Sequence, residues 1–313
     1  MTTALVTGAT GQDGIYLSRH LAEHGTTVLA AVRERTDRAV YLRHPRITLI
    51  DLDVTDTAAF AAVLRRQPVE EIYNLAALSS VAHSWDDPRA TAAVNADAVE
   101  GMLAAIRHIR PRARFFQASS VQAGTSSPYA STKLTAEALV ADSRDRGIHA
   151  VAGRLANHES PLRQPHFVSR RIARAAAAGD VLDIGDLSSE RDWGHARDHV
   201  AAMPLLLRLP DPLDAAICTG TTHRLRDLAQ AAYAAAGLDP AEHIRETPTP
   251  GRPTDLPSVG GDPSALREAT GWAATTSIEA MMAEMVAVER LRRQSGVEED
   301  ARYCEALSTE RCS

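Results

Sequence analysis

The chain has 313 residues, 44% hydrophobic and 24% charged, with a formal net charge of −6 at pH 7, a globular composition with enough chain for one large core or two smaller ones. Net negative charge speaks against binding nucleic-acid backbone as the main task, although clustered arginines can receive a small anion. No apolar run approaches the roughly 18 residues that cross a bilayer, ALVTG starts a strand with no basic leader, and Cys218, Cys304 and Cys312 lack metal-ligand spacing, so a reduced cytoplasmic setting without membrane or metal is expected.

From residue 3 to about 155, short apolar runs alternate with helical stretches. The predicted strands read TALVTG, TTVLAAV, ITLIDLD, EEIYNLAA, ARFFQASS and HAVAGRLA. Between them, segments such as Ile15–His24 and Thr91–Ile109 repeat their apolar residues every three or four positions, as helices do. The expected fold is α/β, a doubly wound Rossmann-type parallel sheet. After residue 157, Pro161, Pro165, Pro204, Pro210, Pro212 and the stretch from Pro248 to Pro263 punctuate shorter elements, which predicts a smaller, mixed α/β C-terminal substrate domain. The expected division is 1–157 for a dinucleotide-binding domain to which later segments can return, 158–292 mainly for the substrate, and 293–313 for a polar, fraying tail. No internal repeat is present.

TGATGQDG follows the first strand and opens the first helix. Gly8, Gly11 and Gly14 permit a tight turn and let a pyrophosphate approach the amides of the helix N-terminus. Alone the motif can also be a structural turn; the strand before it and the amphipathic helix after it strengthen the cofactor reading. At the end of the second strand stands Arg33, with Arg35 nearby, where an acidic residue would select an unphosphorylated ribose. A cation there favours NADP over the alternative, NAD. Asp53, after the third strand, is placed to meet the adenine.

YASTK puts Tyr129 and Lys133 one helical turn apart on one face. The ammonium stabilises a phenolate by charge proximity, and the phenolate can take a hydroxyl proton as hydride leaves the carbon. Ser119 and Ser120 end the fifth strand, and either hydroxyl could orient the substrate oxygen.

With these residues the chain resembles the extended short-chain dehydrogenase/reductases, and within them the GDP-mannose 4,6-dehydratase family. The resemblance rests on ALVTGATGQDGIYL, YNLAALSSVAHSW, FFQASS, SPYASTK, NHESPLR, FVSRRI, RDWGHARD and GRPTD, from about residue 3 to about 290. It implies an NAD(P)-dependent epimerase or dehydratase acting on a nucleotide sugar. It also implies that Thr10, Gln12, Asp13, Val54, Leu75, Ala76, Ala77, His158 and Arg163 join the cofactor site. Ser79, Asn157, Val168, Arg171, Arg191, Arg252 and Asp255 would hold the nucleotide substrate. Arginines suit a diphosphate because their planar donors fork onto its oxygens, although each alone reads as a solvated surface residue.

The chain departs from that family after QAS. Dehydrating members carry Thr, a small polar residue and Glu; here stand Ser120, Val121 and Gln122. A glutamine amide is no base, and losing a positioned base costs about 10²–10⁴ in rate, or roughly 3–5 kcal/mol. The link AGTSSP to Tyr129 is short, and the family's tetramer loop after the second strand is reduced to RERTDRAVYL. A homodimer through paired helices is therefore expected, with the tetramer in question.

Net epimerisation needs only hydride removal and return to the other face, so it is the expected reaction, on a nucleotide sugar or a nucleotide ribose. The alternative is 4,6-dehydration to a 4-keto-6-deoxy sugar nucleotide with His83 of VAHSW as replacement base, set against a histidine packed in the core. A simple reductase and a non-catalytic NADP- or nucleotide-binding protein complete the readings.

Overall fold

Strand β1 (Thr3–Thr7) is buried at every position, as an apolar run must be at the centre of a parallel sheet covered on both faces. In this computed structural model, which describes residues 2–247 and 256–305, the chain continues through α1 (Gln12–Glu23), β2 (Thr27–Val32), β3 (Ile47–Asp51), α2 (Thr57–Arg66) and β4 (Glu71–Asn74). Next come α3 (Val81–Asp86), α4 (Pro88–Ala92), α5 (Ala98–Ile109), β5 (Arg114–Ser120), α6 (Pro128–Asp145) and β6 (Ala150–Leu155). The remainder runs β7 (Asn157–Glu159), α7 (Val168–Ala178), β8 (Leu182–Ile184), β9 (Glu190–His195), α8 (Ala196–Leu207), β10 (Ala215–Ile217) and β11 (Thr222–Arg224). It ends with α9 (Leu225–Ala236), α10 (Pro240–His243), β12 (Ile244–Glu246), β13 (Ser258–Val259), α11 (Ser264–Thr270), α12 (Ile278–Ser295) and α13 (Arg302–Glu305).

Two units divide this chain. The first comprises Met1–Leu155, Val200–Ile217 and Pro263–Trp272. Its seven-stranded sheet has the order β10-β6-β5-β4-β1-β2-β3, and every pair in it is parallel. The six strands expected for the first half are all present, and β10 adds an edge from a later segment. Strand order reverses between β1 and β4, and sheets of this kind bind ligands beyond the carboxyl ends of the strands at such a reversal. Leu5, Phe60, Val99 and Phe115, each 0% exposed, centre the core.

The helix expected as one piece over Thr91–Ile109 is broken. Ala93–Asp97 form a π-helical turn between α4 and α5. Inside it the buried Asn95 accepts from the Leu78 amide at 2.9 Å and donates to the Leu78 carbonyl at 3.2 Å and to the Thr132 hydroxyl at 3.3 Å. The wider turn is where a side chain is inserted to tie the loop after β4 to α6.

The second unit comprises Ala156–His199, Cys218–Asp262 and Ala273–Ser313. Around β9 gather β7 and β13 in parallel and β11 antiparallel, while β8 pairs with β12. Helices α7, α9 and α12 bury Ile172, Trp193, Leu228, Met281 and Met285. The fraying expected from residue 293 does not hold for the described part. Tyr303 is 2% exposed, its hydroxyl donates to the Val297 carbonyl at 2.8 Å, and Arg292 Nε donates to the Glu298 carbonyl at 2.9 Å. A buried aromatic and a buried guanidinium anchor a segment whose polarity reads as solvated. No helix among the described residues is long and apolar enough to cross a membrane.

Candidate functional site

The glycine loop leads from β1 into α1. Gly8 has φ +64°, and a Cβ there would stand 2.9 Å from the Ala76 nitrogen, so only glycine lets this turn lie against the loop after β4. At Gly14 a Cβ would come 2.3 Å from the Gly8 carbonyl oxygen. Gly11 is the N-cap of α1 and offers no side chain to the helix amides, which leaves that end to bind an anion. Thr7 Oγ1 donates to Asn74 Oδ1 at 2.6 Å and accepts from the Leu75 and Ala76 amides at 3.2 Å each. Asn74 passes the chain to Gln117 at 2.9 Å. One buried polar ladder thus fixes the carboxyl ends of β1, β4 and β5. The donors and space fit a dinucleotide phosphate.

At the ends of β2 and β3, Arg33 is exposed and Arg35 pairs with Asp51 at 3.1 Å. Asp53 accepts from the Thr55 amide at 2.9 Å and hydroxyl at 2.7 Å; these bonds, with a smaller part from Arg33, hold its carboxyl below the usual range. Val54 is buried beside it. Arg35 is thus in an exposed ion pair, and Arg33, close enough to act on Asp53, is a guanidinium that could meet a ligand.

Helix α6 begins at Ser127, whose hydroxyl accepts from the Ala130 amide at 3.1 Å, with Pro128 at its first position. The Tyr129 amide donates to Ser84 Oγ of α3 at 3.2 Å. Lys133 is 3% exposed. Its ammonium donates to the Ala118 carbonyl of β5 at 2.7 Å and lies 5.7 Å from the Tyr129 ring centre. Burial pushes this ammonium down to about 8, while Asp13 and then Glu137 resist. Of the 34 basic residues 33 are arginine, and Lys133 is the one lysine in the chain. A count of lysines would have singled it out before any motif did.

The two serines at the end of β5 have different partners. Ser119 donates to Glu137 at 2.5 Å, so its hydroxyl is committed inside the unit. Ser120 accepts from the Gln122 amide at 3.1 Å, a bond that leaves its own proton to be donated. Gln122 sits half-buried in the turn that links β5 to α6. His83 is exposed on α3, next to the Ser84 that holds Tyr129, so the core-histidine reading is excluded. Ser79 is exposed and Leu75, Ala76 and Ala77 are half-buried in the loop after β4; Thr10 is half-buried in the glycine loop, and Gln12 donates to Asp13 at 3.2 Å.

Other predicted residues belong to the second unit. His158 of β7 is buried, its Nδ1 2.7 Å from the Ala156 carbonyl and its ring 4.9 Å from that of His199. Arg163 pairs with Glu159 at 2.9 Å and lies over the Phe167 ring at 3.6 Å. Asn157 is half-buried, Val168 opens α7, and Arg171 is exposed one turn later. Arg191 Nη1 donates to the Glu190 carbonyl at 2.7 Å and the Leu256 carbonyl at 2.9 Å. Arg252 and Asp255 lie outside the described residues, as does Cys312.

Residues 5–285 match the family model described as GDP-mannose 4,6 dehydratase. The chain belongs to the GDP-mannose 4,6-dehydratase family. A relative of that name from Sinorhizobium fredii (strain HH103) is 35% identical over 90% of this chain and 95% of its own length. Among solved structures, UDP-glucose 4-epimerase with UDP-glucose from Thermotoga maritima superposes with a TM-score of 0.83 at 22% identity, over 94% of this chain and 100% of the other, a likeness of fold. MoeE5 in complex with UDP-glucuronic acid and NAD is 25% identical, with a TM-score of 0.81 over 93% of this chain and 99% of the other. Family membership makes the chain an NAD(P)-dependent sugar-nucleotide epimerase/dehydratase-type enzyme, and the names of its relatives weigh towards dehydration rather than the epimerisation expected from Gln122.

Proposed function

We propose that this member of the GDP-mannose 4,6-dehydratase family oxidises a carbinol of a GDP-linked hexose and then eliminates water from the ketone, giving a 4-keto-6-deoxy sugar nucleotide. The observation that carries the reading is a buried lysine one turn beyond Tyr129, bonded to the end of β5. In this reading Gly8, Thr10, Gly11, Gln12, Asp13 and Gly14 hold the cofactor diphosphate. Arg33 takes the 2′-phosphate of NADP, Asp53, Val54, Leu75, Ala76 and Ala77 line the nucleoside, and His158 and Arg163 are assigned to the same cofactor. Ser79, Asn157, Val168, Arg171, Arg191, Arg252 and Asp255 hold the nucleotide of the substrate. NADP held by these residues would supply the acceptor for the carbinol hydride and the donor for its return.

Ser120 donates to the reacting oxygen, and Tyr129 takes its proton. The Lys133 ammonium stabilises the phenolate that makes this possible. The new carbonyl acidifies the neighbouring C–H, whose proton must go to a base as hydroxide leaves the next carbon. Gln122 cannot accept that proton. His83, exposed on α3 next to the Ser84 that holds the Tyr129 amide, is the base in this reading.

A second reading, net epimerisation, is favoured by Gln122 itself, because return of hydride to the other face needs no second base. Incubation with GDP-mannose and a panel of sugar nucleotides in D₂O, followed by NMR of the product, separates the two. Dehydration gives a keto sugar carrying solvent deuterium; epimerisation gives an isomer with every carbon-bound hydrogen retained. Unchanged sugars throughout the panel would sink both. The homodimer through paired helices is part of the same proposal, supported by the outer face of α6, where Ser131, Thr135 and Ala138 are exposed and Leu134 is 50% exposed; light scattering of the purified chain tests it.

A further inference from the structure

We propose that Glu137 is a positioning residue for the Tyr129 and Lys133 pair: it favours the charged form of Lys133, is held in place by Ser119, and is opposed by Arg154. The proposal rests on the reading of that pair as the proton-handling centre. Tyr129, Lys133 and Glu137 fall four residues apart on one face of α6, so the carboxylate stands one turn beyond the ammonium. Glu137 is 7% exposed. It accepts from Ser119 Oγ at 2.5 Å and from Arg154 Nε at 2.9 Å and Nη2 at 2.7 Å. Ser119 and Arg154 face each other across the β5–β6 register, so two adjacent strands aim one hydroxyl and one guanidinium at the same carboxylate.

A buried carboxylate with a half-exposed counter-ion acts in two directions. Its negative charge favours the protonated form of Lys133, while Arg154, whose side chain is 45% exposed, offsets that effect. The other groups around the ammonium are Asp13 at the start of α1, which also favours the charged form, the neutral carbonyl of Ala118 on β5, and the Tyr129 ring on its own helix. From α3 Ser84 bonds the Tyr129 amide and from the π-helical turn Asn95 bonds Thr132, both neutral, while the titratable His83 stands next to Ser84 on α3. Glu137 and Arg154 therefore form an adjustable charge pair, whereas Asp13 belongs to the cofactor loop.

The single lysine makes the test direct. The full-length chain grown with lysine ¹³C-labelled at Cε has one lysine resonance, whose pH titration reports Lys133 without any substrate. In Glu137→Gln the midpoint is expected to fall by roughly half to one unit, and in Arg154→Gln to rise by a similar amount. If Glu137 serves only to brace β5 and β6, the variant loses stability and the midpoint stays at the wild-type value, which overturns the proposal. Should Glu137→Gln fail to fold, Arg154→Gln decides alone: an upward midpoint supports the proposal and an unmoved one overturns it. Titration shifts in a chain that converts no sugar nucleotide would fail the functional reading and leave the role of Glu137 intact.

Discussion

The Lys133 ammonium and the Ala118 carbonyl meet at 2.7 Å, across the gap between α6 and the end of β5. That bond places the one lysine of the chain at the carboxyl edge of the sheet and removes it from water. Its charge is thus costly and its position is fixed, the combination a proton-handling pair requires.

The pH dependence follows from that burial. Lys133 releases its proton near 8 in the folded chain, so the hydride-transfer rate is expected to fall as pH rises through about 8, when the phenolate loses its neighbouring cation. Because the folded value is below that of an unfolded lysine, the unfolded chain binds more protons between about 8 and about 10.5. Stability from this group is present above about 10.5 and is lost as pH falls through about 8, an effect of roughly 3 kcal/mol at most. Urea unfolding of wild type and Lys133→Met across this window checks it: the variant should lack that rise.

Lys133→Met should also reduce turnover by about 10²–10⁴ with the cofactor still bound, since the proton transfer through Tyr129 that depends on this ammonium contributes that much. Steady-state rates together with cofactor titration would measure both. A rate within twofold of wild type would remove Lys133 from the reaction.

Gly14→Ala is expected to weaken cofactor binding by tenfold or more, or about 1.4 kcal/mol, because its Cβ would strike the Gly8 carbonyl oxygen, 2.3 Å away. Far-UV circular dichroism should show the sheet retained while fluorescence titration with NADP shows the loss.

Thr7→Val leaves Asn74 Oδ1 and the Leu75 and Ala76 amides without their hydroxyl partner. Unsatisfied buried groups of this kind cost about 1–3 kcal/mol. A lowered urea midpoint at unchanged slope is the expected outcome.

Arg33→Ala should reverse or level the preference for NADP over NAD, by roughly 10-fold or more, through loss of a charge-assisted contact to the 2′-phosphate. Dissociation constants for both cofactors settle it; an unchanged ratio would move the selectivity elsewhere, with Arg35 already paired to Asp51.

Much of the first unit was legible because its signals are local. Buried parallel strands appear as short apolar runs, and the glycine loop and YASTK carry their spacing in the sequence. What escaped depends on distant partners. Asn95 breaks a helix that periodicity draws as continuous, because its partners are Leu78 and Thr132. Ser119 and Ser120 look equivalent in sequence, and only Glu137, eighteen residues further along, separates them. Tyr303 looks like part of a frayed polar tail until Ser295 and Val297 are beside it. The identity of the elimination base was not legible for a different reason: a residue type was replaced, and sequence alone names no substitute.

The central claim is that hydride leaves a sugar carbon and is returned to the same molecule. GDP-mannose carrying deuterium at C4 tests it most directly, with the product analysed by mass spectrometry and NMR in ordinary water. The account predicts a 4-keto-6-deoxy product that retains the deuterium at C6. Loss of the label to solvent, or recovery of unchanged GDP-mannose with the label still at C4, would contradict it.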